Sequence, residues 1–189
     1  MMKTTRFTML ASALALSLAA CSYDPADEDG TEAADGSTEA GTETVSALIA
    51  SADGLDGVKD LMNDAGLAEA FDGNAPYTVF APTDEALGAL GPDFEGEEAR
   101  PALLAILREH IVPGYLTSED IAAAIDRAGG SVEMQTMGET TLSFTKEGDA
   151  IRVQTTGGDA TTTLPAGMRG ANGVVYPIGT VLKDFDPEG

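Results

Sequence analysis

The chain has one cysteine, one histidine, no tryptophan, and ten lysines and arginines against 32 aspartates and glutamates. Each shortage excludes something. A single cysteine cannot close a disulfide within the chain, and one histidine with one remote cysteine cannot assemble a zinc site of the usual kind. No metal and no cofactor are expected. The formal charge of -22 argues against nucleic acid as a partner, because phosphate contacts need clustered Lys and Arg. It argues equally against electrostatic binding to anionic lipid. It fits a soluble acidic surface or a cationic partner. With aromatics at 5% and a hydrophobic fraction of 43%, the core must be built from Val, Leu, Ile, Ala and Met.

Two of the ten bases, Lys3 and Arg6, precede an apolar stretch from Phe7 to Ala20. That stretch is too short to span a bilayer stably and reads as the middle of a signal peptide over residues 1–20. It ends in Leu18-Ala19-Ala20-Cys21, which resembles the lipobox of bacterial lipoproteins. The resemblance implies that the Cys21 thiol takes a diacylglyceryl group and that Cys21 becomes the new N-terminus. Acyl chains bury about 0.8 kcal/mol per methylene, so two or three of them make desorption negligible. Ser22 follows where the sorting pattern would place Asp for retention, which implies the outer membrane of a Gram-negative cell envelope. Losing the leader leaves eight bases against 32 acids.

Residues 22–44 hold eight acids, no Lys or Arg, and many Gly, Ser, Thr and Ala. Such a segment cannot bury enough surface to offset its ordering entropy and reads as a disordered linker. A flexible chain of this length spans roughly 25–30 Å. The acids around Asp27-Glu28-Asp29 lack EF-hand spacing.

The domain is expected over residues 45–189. Val45, Leu48, Ile49, Leu55, Val58, Leu61 and Met62 recur at helical spacing, with Gly66 at a helix end. A short helical turn follows at Leu67–Phe71. Tyr77–Phe80 is a β run closed by Pro82. Thr83 caps a helix reaching Leu90, with Asp84 and Glu85 favourable in its first turn. Glu97–His110 reads as one helix, broken by Pro113-Gly114, and Thr117 or Ser118 caps another that ends at Gly129-Gly130. The runs Val132–Met137, Thr140–Lys146, Ala150–Thr155 and Thr161–Leu164 are β, joined by Gly-rich hairpin signals. Val174–Leu182 closes the domain. Helices first and strands after make the class α+β.

Three segments carry a resemblance. They are Tyr77-Thr78-Val79-Phe80-Ala81-Pro82-Thr83-Asp84-Glu85-Ala86-Leu87, then Leu107-Arg108-Glu109-His110-Ile111-Val112-Pro113-Gly114, then Asn172-Gly173-Val174-Val175-Tyr176-Pro177-Ile178-Gly179-Thr180-Val181-Leu182. In this order and spacing they resemble the signature blocks of the fasciclin domain family. The resemblance implies a wedge of N-terminal helices packed on a β-sandwich, and extracellular adhesion by non-covalent contact. Tyr176 and Gly179 stand where the family usually has His and Asp, and Glu109 stands where Tyr is common before the family His. Gly167-Met168 occupies the place of an integrin-binding Asp-Ile pair, so integrin binding does not carry over. The Asp-Ile pair at Asp120-Ile121 reads as helix capping plus a core isoleucine.

The residues expected to shape the domain or its binding edge are Thr83, Asp84, His110, Tyr115, Asn172, Gly173 and Tyr176. His110 is expected to reach the Thr83–Asp84 turn. Gly173 is expected to supply a positive φ for a tight turn. Tyr115 and Tyr176 offer flat area and a hydroxyl to a partner, although packing suits both. Met134, Met137 and Met168 read as gap-fillers that could instead form an adaptable patch. No nucleophile accompanies His110 in a catalytic pattern, so no enzyme is expected. The leading expectation is a monomeric, lipid-anchored interaction module of the cell envelope that binds a protein or glycan of the envelope or matrix. The alternatives are a periplasmic structural protein, and a small hydrolase or ligand carrier using His110. Adhesion predicts a shallow polar face, a carrier a deep apolar cavity, and a hydrolase a hydroxyl beside His110.

Overall fold

The computed structural model describes residues 41–94 and 96–183. The signal peptide, Cys21 and most of the expected linker lie outside the described residues, as do the last six positions.

Three short helices come first among the described residues: α1 (Val45–Ser51), α2 (Asp56–Asp64) and α3 (Ala68–Phe71). Strand β1 (Tyr77–Pro82) follows, then α4 (Asp84–Gly88), two 3-10 turns, α5 (Arg100–Glu109), β2 (Ile111–Pro113) and α6 (Ser118–Ala128). The second half is β3 (Ser131–Gln135), β4 (Thr141–Glu147), β5 (Ala150–Thr155), β6 (Thr161–Thr163), β7 (Met168–Arg169) and β8 (Gly173–Ile178).

The strands form two sheets, in the orders β2-β1-β8-β7 and β3-β4-β5-β6. In the first, β1 pairs antiparallel with β2 and parallel with β8. The second is antiparallel throughout. Alternation along the first sheet explains why both its faces are buried. Val79, Ala81, Ile111 and Val175 point to one side, where they pack with Val45, Ile49, Val58, Met62, Phe71 and Leu107 from α1, α2, α3 and α5. Phe80, Val112, Val174, Tyr176 and Ile178 point to the other side and meet Leu142, Phe144, Ile151 and Val153 of the second sheet, closed at one end by Ile121 and Ile125 of α6. Phe80 sits at the centre of this second core, stacked on Tyr176 at 5.5 Å and tilted on Phe144 at 5.5 Å. The α+β expectation holds: helices, a sheet buried on both faces, and a second sheet.

Local chemistry sets the element ends. The Thr83 hydroxyl accepts from the Ala86 amide, and α4 stops at Gly88, short of the expected Leu90. Thr117 and Asp120 make a reciprocal capping box on α6, which ends in left-handed Gly129. Ile121 is fully buried, so Asp120-Ile121 is the expected cap and core pair. Two readings change. The expected single helix over 97–110 is a 3-10 turn at Glu97–Ala99 followed by α5. The expected break at Pro113-Gly114 ends a strand, β2, because Ile111 and Val112 must each face a different core. Ordered contacts also begin before Val45: the Gly41 amide donates to the Arg169 carbonyl at 3.0 Å, and Ala171 donates to Glu43 at 2.7 Å.

Candidate functional site

The three signature segments meet where β2, β1 and β8 lie side by side. The Phe80 amide donates to the His110 carbonyl at 2.9 Å, and the Thr83 amide donates to the Ile178 carbonyl at 2.9 Å. The His110 ring completes the junction. Its Nε2 accepts from the Leu182 amide at 2.7 Å, while Nδ1 lies 2.8 Å from the Ile106 carbonyl. A carbonyl only accepts, so Nδ1 carries the proton and Nε2 is the acceptor. Both nitrogens are therefore committed to backbone, and the ring is fully buried. This corrects the expectation that His110 reaches the Thr83–Asp84 turn or shapes a binding edge: its partner is the far end of the third segment.

Burial pushes the His110 pKa down from 6.5 to about 4, against a smaller upward pull from the Ile106 carbonyl. Between those values the unfolded chain takes up a proton that the fold refuses. The associated stability is fully present above pH 6.5 and is lost as pH falls toward 4. From pH 6.5 to 5 the loss amounts to roughly 2 kcal/mol. Urea midpoints at pH 5, 6 and 7 will show this slope in the wild-type chain and a flatter one in His110→Gln. Parallel slopes for the two proteins would mean that the ring titrates freely in the fold.

Asn172 makes a second knot at the other end of the same strands. Its Oδ1 accepts from the Val45 amide at 2.8 Å, and its Nδ2 donates to the carbonyls of Phe71 at 2.6 Å and Gly73 at 2.7 Å. One buried amide thus binds the start of α1, the end of α3 and the entry to β8. Gly173 beside it does not have the positive φ expected of it. Its requirement is steric: a Cβ there would lie 1.9 Å from the Tyr77 carbonyl oxygen, its neighbour in the parallel β1–β8 ladder.

The remaining expected residues separate. Thr83 is a half-buried cap, and Asp84, exposed, accepts from the amides of Gly57 at 2.7 Å and Asp56 at 3.3 Å, so it also caps α2. Tyr176 is fully buried, and its hydroxyl donates to the Leu116 carbonyl at 3.1 Å; burial pushes its phenol pKa up. It is a core residue and not a contact residue. Tyr115 is half-buried and donates to Gly170 at 3.2 Å. Of the methionines, Met137 is 40% exposed, while Met134 and Met168 pack against the two cores. Among the described residues no group of three or more His, Cys, Asp and Glu is placed to hold a metal ion, and no helix is long and apolar enough to cross a membrane.

Two surfaces escaped the sequence. One is the outer face of β3–β6, where Glu133, Ser143, Gln154 and Thr161 stand in one cross-strand row and Ser131, Thr145, Arg152 and Thr163 in the next. The other is an apolar groove between α2, α4 and α5. Alternation could have marked the first, since every second residue of these strands, Ala150 excepted, is polar.

Residues 53–184 match the fasciclin domain family. The chain belongs to that family. Protein sll1483 of Synechocystis sp. is 28% identical over 147 residues, spanning 76% of this chain and 69% of that protein. The solved FAS1 domain pair from the insect cell adhesion molecule Fasciclin I has the same fold, with a TM-score of 0.60 at 16% identity. That match covers 76% of this chain and 52% of the insect one, so the chain spans about half the length of the structure it matches. Fasciclin domains are adhesion and interaction modules and are typically non-enzymatic.

Proposed function

We propose that this fasciclin domain is an extracytoplasmic, non-enzymatic interaction module, lipid-anchored through Cys21 in the cell envelope, that binds a protein or glycan partner with the outer face of the β3–β6 sheet. The observation that carries this reading is the face itself. Ser131, Glu133 and Thr163 on it are exposed, Ser143, Thr145 and Gln154 are half-exposed, and Arg152 there is paired with Glu147 at 2.6 Å. Side chains of this kind supply hydrogen bonds to peptide groups or sugar hydroxyls without a deep pocket. The enclosure of His110, both of whose nitrogens are occupied, supports contact over catalysis.

The test has two parts. Cys21→Ser should move the protein from the membrane fraction to the soluble one and remove the lipid mass from residue 21; retention in the membrane contradicts the anchor. The soluble Cys21→Ser chain should then bind washed envelopes saturably, and Ser143→Arg with Gln154→Arg should weaken that binding about tenfold. Binding that does not saturate, or that ignores those two changes, contradicts the sheet face as the contact.

A further inference from the structure

The helical side of the domain carries a feature that the signature segments do not use. Between α2, α4 and α5 lies an open hollow of about 350 Å³. Its walls are the side chains of Leu61, Leu87, Phe94 and Leu103. Gly88, the last residue of α4, borders it with no side chain, and a Cβ there would meet no atom within 4 Å. The volume stands at the low end of the roughly 300–1,000 Å³ typical of ligand sites, and it suits one or two inserted side chains.

The rim is acidic. Asp60, Asp64 and Glu97 line it together with a single base, Arg100. Arg100 is spent on an ion pair with Asp64. Asp60 and Glu97 make no ion pair among the described residues, and both are exposed. Lys59, the one base of α2, pairs with Asp56 and lines a separate small hollow beside α1. Two exposed carboxylates without an ion pair of their own among the described residues therefore flank an apolar slot on a chain of formal charge -22.

We infer that this groove docks a basic amphipathic segment of a partner protein, inserting one or two apolar side chains between α2 and α4 and setting lysine or arginine against Asp60 and Glu97. Apolar anchors seated in a groove are a recurrent mode of helix recognition, and the charges at its rim choose the partner. A second copy of this chain is disfavoured as occupant, because it brings the same sign of charge to the rim. The inference stands apart from the sheet-face reading.

The test uses the soluble full-length Cys21→Ser chain and a fluorescent 16-residue amphipathic helix of leucine and lysine. Two control peptides replace lysine by glutamate or leucine by serine. The leucine–lysine peptide should bind in the micromolar range and both controls at least tenfold more weakly. Gly88→Leu, which fills the hollow, should weaken binding about tenfold while leaving the melting temperature unchanged or higher. Asp60→Asn with Glu97→Gln should weaken it about tenfold, and Asp149→Asn with Glu139→Gln, remote from the groove, less than twofold. Amide shifts in the wild-type chain should concentrate on α2, α4 and α5, which keeps the test sharp if Gly88→Leu fails to fold. Equal losses from near and remote charge changes, or undiminished binding by Gly88→Leu, would reduce the effect to diffuse attraction and overturn the inference. So would groove-dependent binding of phenethylamine without binding of the peptide, which would make the occupant a small amine. Ser143→Arg with Gln154→Arg should change peptide affinity less than twofold, so failure here and failure of the sheet-face reading are separable.

Discussion

Asn172→Asp is expected to destabilise the domain by roughly 4 kcal/mol near neutral pH, although it changes neither the size nor the shape of the side chain. The native amide accepts once and donates twice, and both donations go to backbone carbonyls within 2.7 Å. A carboxylate only accepts. It would face the Phe71 and Gly73 carbonyls with like partial charge, in a site that is 7% exposed. Each lost bond costs about 1 kcal/mol net, and leaving a buried polar group unmatched costs about 1–3 kcal/mol more. Against a total stability of about 5–15 kcal/mol for a domain, the variant will unfold at a much lower urea concentration with little change in slope. Its deficit should shrink as pH falls and the new carboxyl gains a proton to donate. A deficit below about 1 kcal/mol, or one indifferent to pH, would mean that the amide is dispensable.

Gly173→Ala is expected to be comparably damaging, for a reason of space. The added methyl would sit 1.9 Å from the Tyr77 carbonyl oxygen and 2.6 Å from Val45 Cγ2. The first of these is backbone within the β1–β8 ladder and cannot rotate away. Overpacking in a core costs typically about 1–3 kcal/mol and occasionally more. Here relief requires parting the two central strands, so about 3 kcal/mol is the lower bound. The control is Gly88→Ala, whose methyl meets open space at the end of α4; it should be neutral or stabilising by up to about 1 kcal/mol. Equal melting temperatures for the two variants would refute the steric account.

These positions show where sequence reasoning reached and where it stopped. Capping of α6 was legible because Thr117, Asp120 and Gly129 act on amides and carbonyls within a few residues. The β4 and β5 strands were legible because Leu142 and Phe144, and Ile151 and Val153, alternate with polar residues that face water. β8 lacks that contrast. Val174, Val175 and Tyr176 all lie in cores, on opposite sides, so periodicity could not assign Tyr176 a face. Asn172-Gly173 carries the local signature of a turn, but the demand for glycine comes from a strand almost a hundred residues earlier. His110 likewise takes its partner from a residue 72 positions away, which no local rule supplies. The helical groove was hidden because it is assembled from elements whose neighbours are fixed only by the tertiary fold.

The segments around Phe80, His110 and Leu182 form one cooperative junction that holds helices and sheets together. Native-state hydrogen exchange tests it directly at the amides of Phe80, which donates to the His110 carbonyl, and Leu182, which donates to the His110 ring. The account predicts that both exchange only through global unfolding, with the same opening free energy and the same response to denaturant. Exchange of Leu182 through a low-energy local opening, while Phe80 stays protected, would contradict it.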